Sequence, residues 1–574
     1  MLAEIISHAL VQVNDPGSRS KRAQSELPRR LNRIILTLPT ATSVQEQAIM
    51  RSRAEGALRL VWSILGVKDG DTSISRRPEL IVEWDEASCT QLVYLYSELT
   101  QKFDGNINAF LNLKGKARER SGQADATPSL RLACIDIGGG TTDLMISTYW
   151  GEANRMLHPE QTFREGFRVA GDDLVQRVIS GIILPRLQAS IEAAGGRYVG
   201  EKMRELFAGD IGGQDQQVVQ RRRQFALRAL MPLAVAVLAL SETAAEYDRV
   251  DLSVADVLGP AEEIDGDDDA GLAQNRTSRL SDEMLAYIET AAAEVGAEDW
   301  KLANVTLTTS REDVDAIARE VFQKVLGNMA EVIDHLGADV VLLTGRPSRL
   351  AAVRAIIEEM LVVPPHRLVS MHNYKTGRWY PFRDPISQRI GDPKSTVAVG
   401  GMLIALSENR IPNFKVSTAA FQMKSTARFV GEMDNNGQIK DERLMFSELD
   451  LDTKSKGGEQ TATVSMFAPI HIGSRQLPIE RWTTTPLFRL DYANAAAQKR
   501  PSPIRVTFEK AEFDDDESES SEDKLRREAL REAFEITEVE DGIGDGMKNT
   551  DIRLKLHTLG FDDEYWIDTG VFQY

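Results

Sequence analysis

The chain has 574 residues, a formal net charge of −19 and two cysteines, Cys89 and Cys134. This length predicts two or more domains, and the negative charge argues against a nucleic-acid backbone as the main partner. Two cysteines without C-x-x-C spacing indicate a reducing compartment, and the scattered histidines show no zinc-type spacing. The sequence has no apolar run near the roughly 18 residues of a membrane helix and no signal-peptide pattern at its start. We therefore expect a cytoplasmic protein without a transmembrane segment or a transition metal.

Helix and strand signals alternate through the first 130 residues, which indicates an α/β fold. Ser43 and Glu46 have the spacing of a capping box, and Asp85 stands immediately before a second helical pattern. The predicted elements are helices over 1–15, 43–65 and 89–99, strands over 33–39 and 80–84, and a polar loop over 102–130.

Residues 135–143 combine three consecutive glycines with an aspartate on each side. Apolar runs at 132–135 and 144–147 predict strands, so the glycines should form a tight hairpin whose N–H groups can approach an anion. Asp136 and Asp143 cannot attract a bare phosphate by charge, which points to a divalent cation or an attacking water between them. The segment predicts a site for magnesium and a nucleotide. The alternative is a structural glycine hairpin with solvated aspartates.

The rest of the chain divides into a helical region, a second α/β unit and a β-rich end. The alanine- and leucine-rich helix predicted over 217–240 contains Pro232, where a kink is expected. Alternating residues over 502–508 predict a strand, and the acidic, serine-rich run 514–522 predicts a linker before a charged helix. The remaining predicted elements are a mainly helical region over 174–323, a helix over 321–336, a strand over 338–343, a ligand loop over 344–349 and a helix to residue 360.

Six segments, in order, resemble the ATPase superfamily of actin, sugar kinases and DnaK-type chaperones. They are the strand and helix start at 36–45, the connecting motif at 85–88, the phosphate loop at 136–143, G-x-D-L at 171–174, an adenosine-type loop at 343–349 and a connecting helix at 392–401. The resemblance covers about residues 1–410 and implies actin-like (ribonuclease-H-like) lobes. The implied domains are a remnant of lobe I over 1–130, lobe II over 131–411 with a helical insertion at about 185–320 and a returning helix at about 392–408, and a β-rich C-terminal domain over 412–574.

The same resemblance implies that the cofactors are ATP and Mg²⁺. It implies that Asp136 holds the magnesium through water, and that Asp143 and Glu86 orient the attacking water. The implied nucleotide-binding residues are Gly138, Gly139, Gly140, Thr141, Thr142, Gly171, Asp173, Gly345 and Arg349. Arg346 and Pro347 depart from the superfamily's G-G-S/T-x-R pattern, which leaves the identity of the base open.

More narrowly, residues 84–96 and 373–382 resemble the bacterial SrfB virulence-factor family, a divergent actin-like group. This resemblance implies a cytoplasmic component of a virulence or toxin system, with export as part of that system as the alternative, and its implied partners are proteins of the same system. We interpret residues 374–382 as a core-packing loop of lobe II, with a partner surface as the alternative.

One departure concerns the superfamily's first phosphate hairpin, D-x-G, which has no counterpart near the start of the chain. We interpret the chain as N-terminally incomplete. The later D-x-G at residues 568–570 is interpreted as a terminal strand and turn rather than as a circular permutation. The leading hypothesis is an ATPase-type switch protein, and the alternatives are a non-hydrolysing scaffold and a sugar or acyl kinase.

Overall fold

The structure is a computed structural model with a mixed α/β fold. The predicted linker 514–522 lies outside the described residues. The described residues are 1–21, 24–67, 77–120, 125–152, 155–208, 216–245, 247–259, 280–407, 410–447, 461–480, 484–510, 531–556 and 566–572.

The α-helices lie mostly in the first three quarters of the chain. In the described ranges they are α1 (Leu2–Asn14), α2 (Pro16–Ser20), α3 (Val44–Ile64), α4 (Glu86–Lys102), α5 (Ile107–Lys114), α6 (Gly171–Val178), α7 (Leu184–Ala193), α8 (Val199–Phe207), α9 (Gln216–Phe225), α10 (Met231–Ser241), α11 (Val254–Leu258), α12 (Asp282–Glu294), α13 (Arg311–Leu336), α14 (Ala351–Met360), α15 (Ser395–Ser407), α16 (Ala495–Gln498) and α17 (Trp566–Thr569).

The strands fall into several separate sheets. In the described ranges they are β1 (Arg33–Ile35), β2 (Glu79–Ile81), β3 (Lys116–Arg118), β4 (Thr127–Ile137), β5 (Thr142–Glu152), β6 (Met156–Phe167), β7 (Arg249–Ser253), β8 (Thr306–Ser310), β9 (Val340–Thr344), β10 (Leu368–Ser370), β11 (Phe429–Met433), β12 (Ile439–Phe446), β13 (Thr461–Met466), β14 (Ile470–Arg475), β15 (Thr485–Tyr492), β16 (Ile504–Lys510), β17 (Phe534–Glu540) and β18 (Ile552–Leu556).

The central sheet has the order β10-β9-β4-β5-β6, with β3 paired to β4. Strands β9 and β10 run parallel to β4, whereas β5 pairs antiparallel with β4 and β6 pairs antiparallel with β5. Along β4, Ala133 and Ile135 enter a core with the helical region, and Leu132 and Cys134 enter a second core with α4, α5 and α15. This alternation follows from the two-residue period of a strand and leaves both faces of the sheet covered. The carboxyl ends of β4 and β9 therefore meet at one edge.

The predicted N-terminal elements are present, with one exception. The Ser43 side chain accepts a hydrogen bond from the Glu46 N–H and caps α3, and α1 packs against α3. The polar loop expected over 102–130 is wrong, because this segment contains α5, β3 and the start of β4. Ile107, Phe110 and Leu111 are buried at helical spacing, and the surrounding polar residues concealed this short amphipathic face.

Residues 216–241 form the helix expected around Pro232, interrupted by a π-helical turn at Ala226–Leu230. Proline lacks the N–H needed for the regular ladder, so an irregular turn just before it is the expected accommodation. By length and composition, this is the one helix in the described ranges that could cross a membrane, and 44% of its most apolar window is buried. Phe225, Leu230 and Leu233 lie in the helical core, which is the packing of an interior helix.

The β-rich part contains two antiparallel sheets, β12-β11-β14-β15-β18 and β13-β16-β17, around a core of their own. The alternation predicted over 502–508 is present in β16, where Val506 and Phe508 are buried. The predicted terminal strand is wrong: residues 566–569 form α17 instead. Trp566 and Phe572 pack into the helical core, and the buried Arg222 Nε donates to the Thr569 carbonyl at 3.1 Å.

Candidate functional site

A cleft of about 600 Å³ opens where the ends of β4 and β9 meet the first turns of α4 and α15. It brings together Glu86, Asp136 and the turn 138–141, which the sequence had placed in one site. The remaining predicted residues lie outside its lining. The cleft is lined by Ile35, Thr37, Pro39, Glu86, Asp136, Gly138, Gly139, Gly140, Thr141, Thr344, Pro393, Lys394, Val397, Ala398 and Gly401.

The turn between β4 and β5 is closed by a hydrogen bond from the Gly138 N–H to the Thr141 carbonyl at 2.8 Å. None of its three glycines has a positive φ. A Cβ atom on Gly140 would meet no protein atom within 4 Å, and one on Gly139 would be in ordinary contact with Asp172, 3.6 Å from Oδ1. Neither backbone conformation nor packing therefore requires glycine at these two positions. Their missing side chains leave the backbone N–H groups open to the cleft.

The outer side of this turn is fixed by the start of α6. The Gly171 N–H donates to the Gly138 carbonyl at 3.0 Å, and the Asp172 N–H donates to the Gly139 carbonyl at 2.7 Å. The Asp173 side chain accepts from the Ala170 N–H at 2.8 Å, and Thr142 Oγ1 donates to the Val169 carbonyl at 2.5 Å. Gly171, Asp173 and Thr142 thus support the turn from behind.

The loop after β9 also packs against the turn strand. Gly345 has φ +85° and ψ 160°, and a Cβ there would lie 2.0 Å from the Ile137 carbonyl oxygen. Arg349 forms an ion pair with Glu242 at 2.8 Å, and Arg346 pairs with the same carboxylate at 2.8 Å. Gly345 is therefore required by packing, and Arg349 ties its loop to the end of α10.

Four carboxylates converge at the base of the cleft: Asp85, Glu86, Asp136 and Asp143. Burial, and then the neighbouring Glu86, raise the pKa of Asp136 to about 7, and the pKa of Asp143 is raised well above its usual value by burial and by Asp136. Burial also raises the pKa of Glu86. The cause is common to Glu86, Asp136 and Asp143, because desolvation and like charges both disfavour ionisation. Such a cluster attracts a cation.

Two oxygens in this cluster are buried without a hydrogen-bond partner among the described atoms, Asp143 Oδ1 and Asp85 Oδ2. Their companion oxygens are occupied, since Asp143 Oδ2 accepts from the Thr40 N–H at 3.2 Å and Asp85 Oδ1 accepts from the Ser88 N–H at 2.7 Å. Unpartnered buried carboxylate oxygens are costly in a protein interior. Asp143 lies behind the cleft lining, and its Oδ1 is directed towards Gly166 of β6, 2.7 Å from where a Cβ on that glycine would lie.

Lys394 also lines the cleft, although its sequence pattern predicted no role for it. It immediately precedes α15, and its charge opposes the rise in the pKa of both Glu86 and Asp136. The sequence feature that could have identified Lys394 is its position at the start of the predicted connecting helix. A lysine there could be recognised as a site residue only once α15 was placed beside α4.

Close packing fixes the positions of α4 and α15 relative to each other. Thr90 Oγ1 and Thr396 Oγ1 are 2.8 Å apart, and a Cβ on Gly400 would lie 1.9 Å from the Cys89 carbonyl oxygen. Glycine at 400 thus permits the close approach that brings both helix starts to the cleft.

The loop preceding α15 is held by its aromatic residues. Tyr380 is fully buried and its hydroxyl lies 2.7 Å from Ser395 Oγ, while Trp379 packs edge-on against Tyr96. Phe382 is 58% exposed. The packing of Trp379 and Tyr380 agrees with the core-packing interpretation for these two residues, whereas Lys375, Arg378 and Pro381 are exposed like Phe382.

The β-rich part contacts this region through Glu532. Its carboxylate accepts from the Val44 N–H at 2.8 Å, at the start of α3, and from Ser425 Oγ at 2.6 Å. Residues 39–44 therefore lie between two anchors. Thr40 is bound to Asp143 at one end, and Val44 is bound to Glu532 at the other.

A family model described as virulence factor SrfB matches residues 1–573. No curated protein matches the sequence. The family match associates the chain with virulence but assigns no reaction to the cleft.

Proposed function

The chain belongs to the SrfB virulence-factor family, and we propose that it is a magnesium-dependent nucleotide-binding switch of the actin-like ATPase type, acting with protein partners of a bacterial virulence system. The observation that carries this proposal is that the open glycine turn 138–141 lines the same cleft as Asp136 and Glu86. Packing does not require glycine at positions 139 and 140, and the neighbouring carboxylates favour a cation. Together these features suit a polyphosphate bound with its metal ion.

The residues present fit magnesium. This ion usually keeps several waters and takes one or two protein carboxylates together with phosphate oxygens. Asp136 in the lining is a donor of this kind, and Asp143 is its cross-strand neighbour on β5. Within the described ranges no three Asp, Glu, His or Cys side chains form a direct metal-binding group. When bound, magnesium would neutralise charge on the phosphate oxygens.

In this proposal the residues of the chain act chiefly by positioning. The N–H groups of Gly139 and Gly140 bind phosphate oxygens. Glu86 accepts a hydrogen bond from the attacking water and holds it in line with the terminal phosphate. Its raised pKa makes it a better proton acceptor than an ordinary surface glutamate.

The test is calorimetric titration of the full chain with magnesium-ATP, comparing wild type with Asp136→Asn. Removing one charged contact in such a site typically costs about 2–4 kcal/mol, so affinity should fall at least about tenfold. The matched control is Asp299→Asn, a neutralisation at an exposed position away from the cleft. Equal affinity of Asp136→Asn and wild type would contradict the metal assignment, and the absence of binding by wild type would contradict the nucleotide assignment.

A non-hydrolysing scaffold is the second candidate function. The observation that favours it is the ion pairing of Arg349 and Arg346 with Glu242, which occupies the loop that the superfamily uses against adenosine. Steady-state phosphate release by wild type and Glu86→Gln separates the two. An ATPase loses turnover in Glu86→Gln while keeping nucleotide affinity. A scaffold shows only the same background rate in both proteins.

A further inference from the structure

We propose that Lys394 contacts the terminal phosphate of the bound nucleotide and makes this cleft selective for nucleoside triphosphates over diphosphates. This inference rests on the proposed nucleotide-binding function and extends it to a residue outside the glycine turn.

The first argument is position. Lys394 lines the same cleft as Glu86 and the glycine turn, and it lies directly before the first residue of α15. Glu86 is the first residue of α4. The two side chains therefore enter the cleft from adjacent helix starts. If Glu86 orients the attacking water, then Lys394 is beside the phosphate that is attacked.

The second argument is charge. Lys394 is the one cationic side chain in the lining, as far as the described residues go, and it faces a cluster of four carboxylates. No ion pair joins it to a described carboxylate, and its side chain is exposed to solvent. A lysine ammonium is a compact point charge on a long stem, well suited to phosphate. Here Lys394 supplies a positive charge next to the terminal phosphate. Without it, the phosphate would lie among the carboxylates of Asp85, Glu86 and Asp136.

The third argument is the attachment of Lys394 to rigid structure. The Lys394 N–H donates to Asp392 Oδ1 at 3.0 Å, and Thr396 Oγ1 donates to the Pro393 carbonyl at 2.6 Å. The Ser395 hydroxyl is linked to the buried Tyr380. The backbone at the start of α15 is therefore fixed while the Lys394 side chain remains free to reach a ligand.

The experiment measures the affinities of magnesium-ATP and magnesium-ADP for the full chain by calorimetry, in wild type, Lys394→Gln and Lys394→Arg. Lys415→Gln is the matched control, because Lys415 is also exposed and lies outside the cleft lining. A charged hydrogen bond to the terminal phosphate predicts a loss of about tenfold or more in ATP affinity for Lys394→Gln. ADP affinity should change by less than about threefold. Lys394→Arg should recover much of the loss.

Three other outcomes are distinguishable. Equal losses for ATP and ADP in Lys394→Gln would overturn the inference, because they would assign Lys394 a general role in balancing the carboxylates. Unchanged affinities for both nucleotides would also overturn it. Failure of wild type to bind either nucleotide would overturn the proposed function itself. Thermal melting of each variant excludes misfolding as the cause, since the exposed side chain contributes little to packing.

Discussion

Replacing Gly140 by alanine should separate a binding turn from a merely structural one. In the structure a Cβ at this position meets no atom within 4 Å, and φ is not positive. The substitution should therefore leave stability within about 1 kcal/mol of wild type, with a small gain expected because alanine restricts the unfolded chain. A methyl group here would nevertheless occupy the space into which a phosphate must approach the backbone.

The cost in binding can be worked from the contacts that the methyl group would displace. A hydrogen bond to a charged group is worth about 1.5–3 kcal/mol. Loss of one such contact predicts about a tenfold to hundredfold weaker affinity for magnesium-ATP. Gly345→Ala should instead lower stability. Strain at its φ and ψ and overlap with the Ile137 carbonyl together cost about 2–6 kcal/mol of unfolding free energy.

The assay pairs urea unfolding with nucleotide calorimetry for wild type, Gly140→Ala and Gly345→Ala. Gly56→Ala is the control, since Gly56 lies in α3 and its Cβ also meets nothing within 4 Å. We expect Gly56→Ala to retain both stability and affinity. Wild-type affinity in Gly140→Ala would refute the argument that the open glycines form a phosphate-binding surface. A large loss of stability in Gly140→Ala would refute the packing analysis.

Two further predictions concern stability. The pKa of Asp136 is raised from 3.8 to about 7 in the folded chain, so the folded state retains a proton that the unfolded state has lost, and the free energy of unfolding should fall as pH rises from about 4 to about 7. Asp136→Asn should reduce this fall by at most about 4 kcal/mol, as measured by urea unfolding at a series of pH values, and parallel curves for the two proteins would contradict it. Phe572→Ala should lower the free energy of unfolding by about 3–5 kcal/mol, because Phe572 is 1% exposed and packs with Trp566 and Phe207. In that variant hydrogen exchange should quicken in α8 and α9, and unchanged protection there would show that the end of the chain is not part of the helical core.

Local chemistry made part of the site predictable. The strands flanking residues 138–140 followed from apolar runs, the start of α3 from Ser43, and the position of Glu86 from Asp85, which caps α4 in the structure. Each of these features depends on neighbours within a few residues. The spacing of residues in the sequence was therefore enough to predict them.

Other features depend on tertiary packing that no local pattern contains. Lys394 reaches the cleft because Gly400 lets α15 approach the backbone of α4, about 300 residues earlier in the chain. Trp566 joins the helical core through residues near Arg222, more than 300 positions away. The helix α5 was missed for a different reason, because its short apolar face lies among polar residues. Most of the residues around the turn could therefore be predicted from the sequence. The side of the cleft formed by α15 could not, because its position depends on tertiary packing.

The two contacts of the segment 39–44 provide a way to couple nucleotide binding to the binding of a partner protein. Thr40 is bound to a carboxylate of the cleft, and Val44 is bound to Glu532 of the β-rich part. If a nucleotide changes the energy of the first contact and a partner protein changes that of the second, their binding free energies are coupled. Linkage then requires the coupling to be reciprocal: the factor by which the partner alters nucleotide affinity equals the factor by which the nucleotide alters partner affinity. One titration in each direction would therefore measure the same quantity.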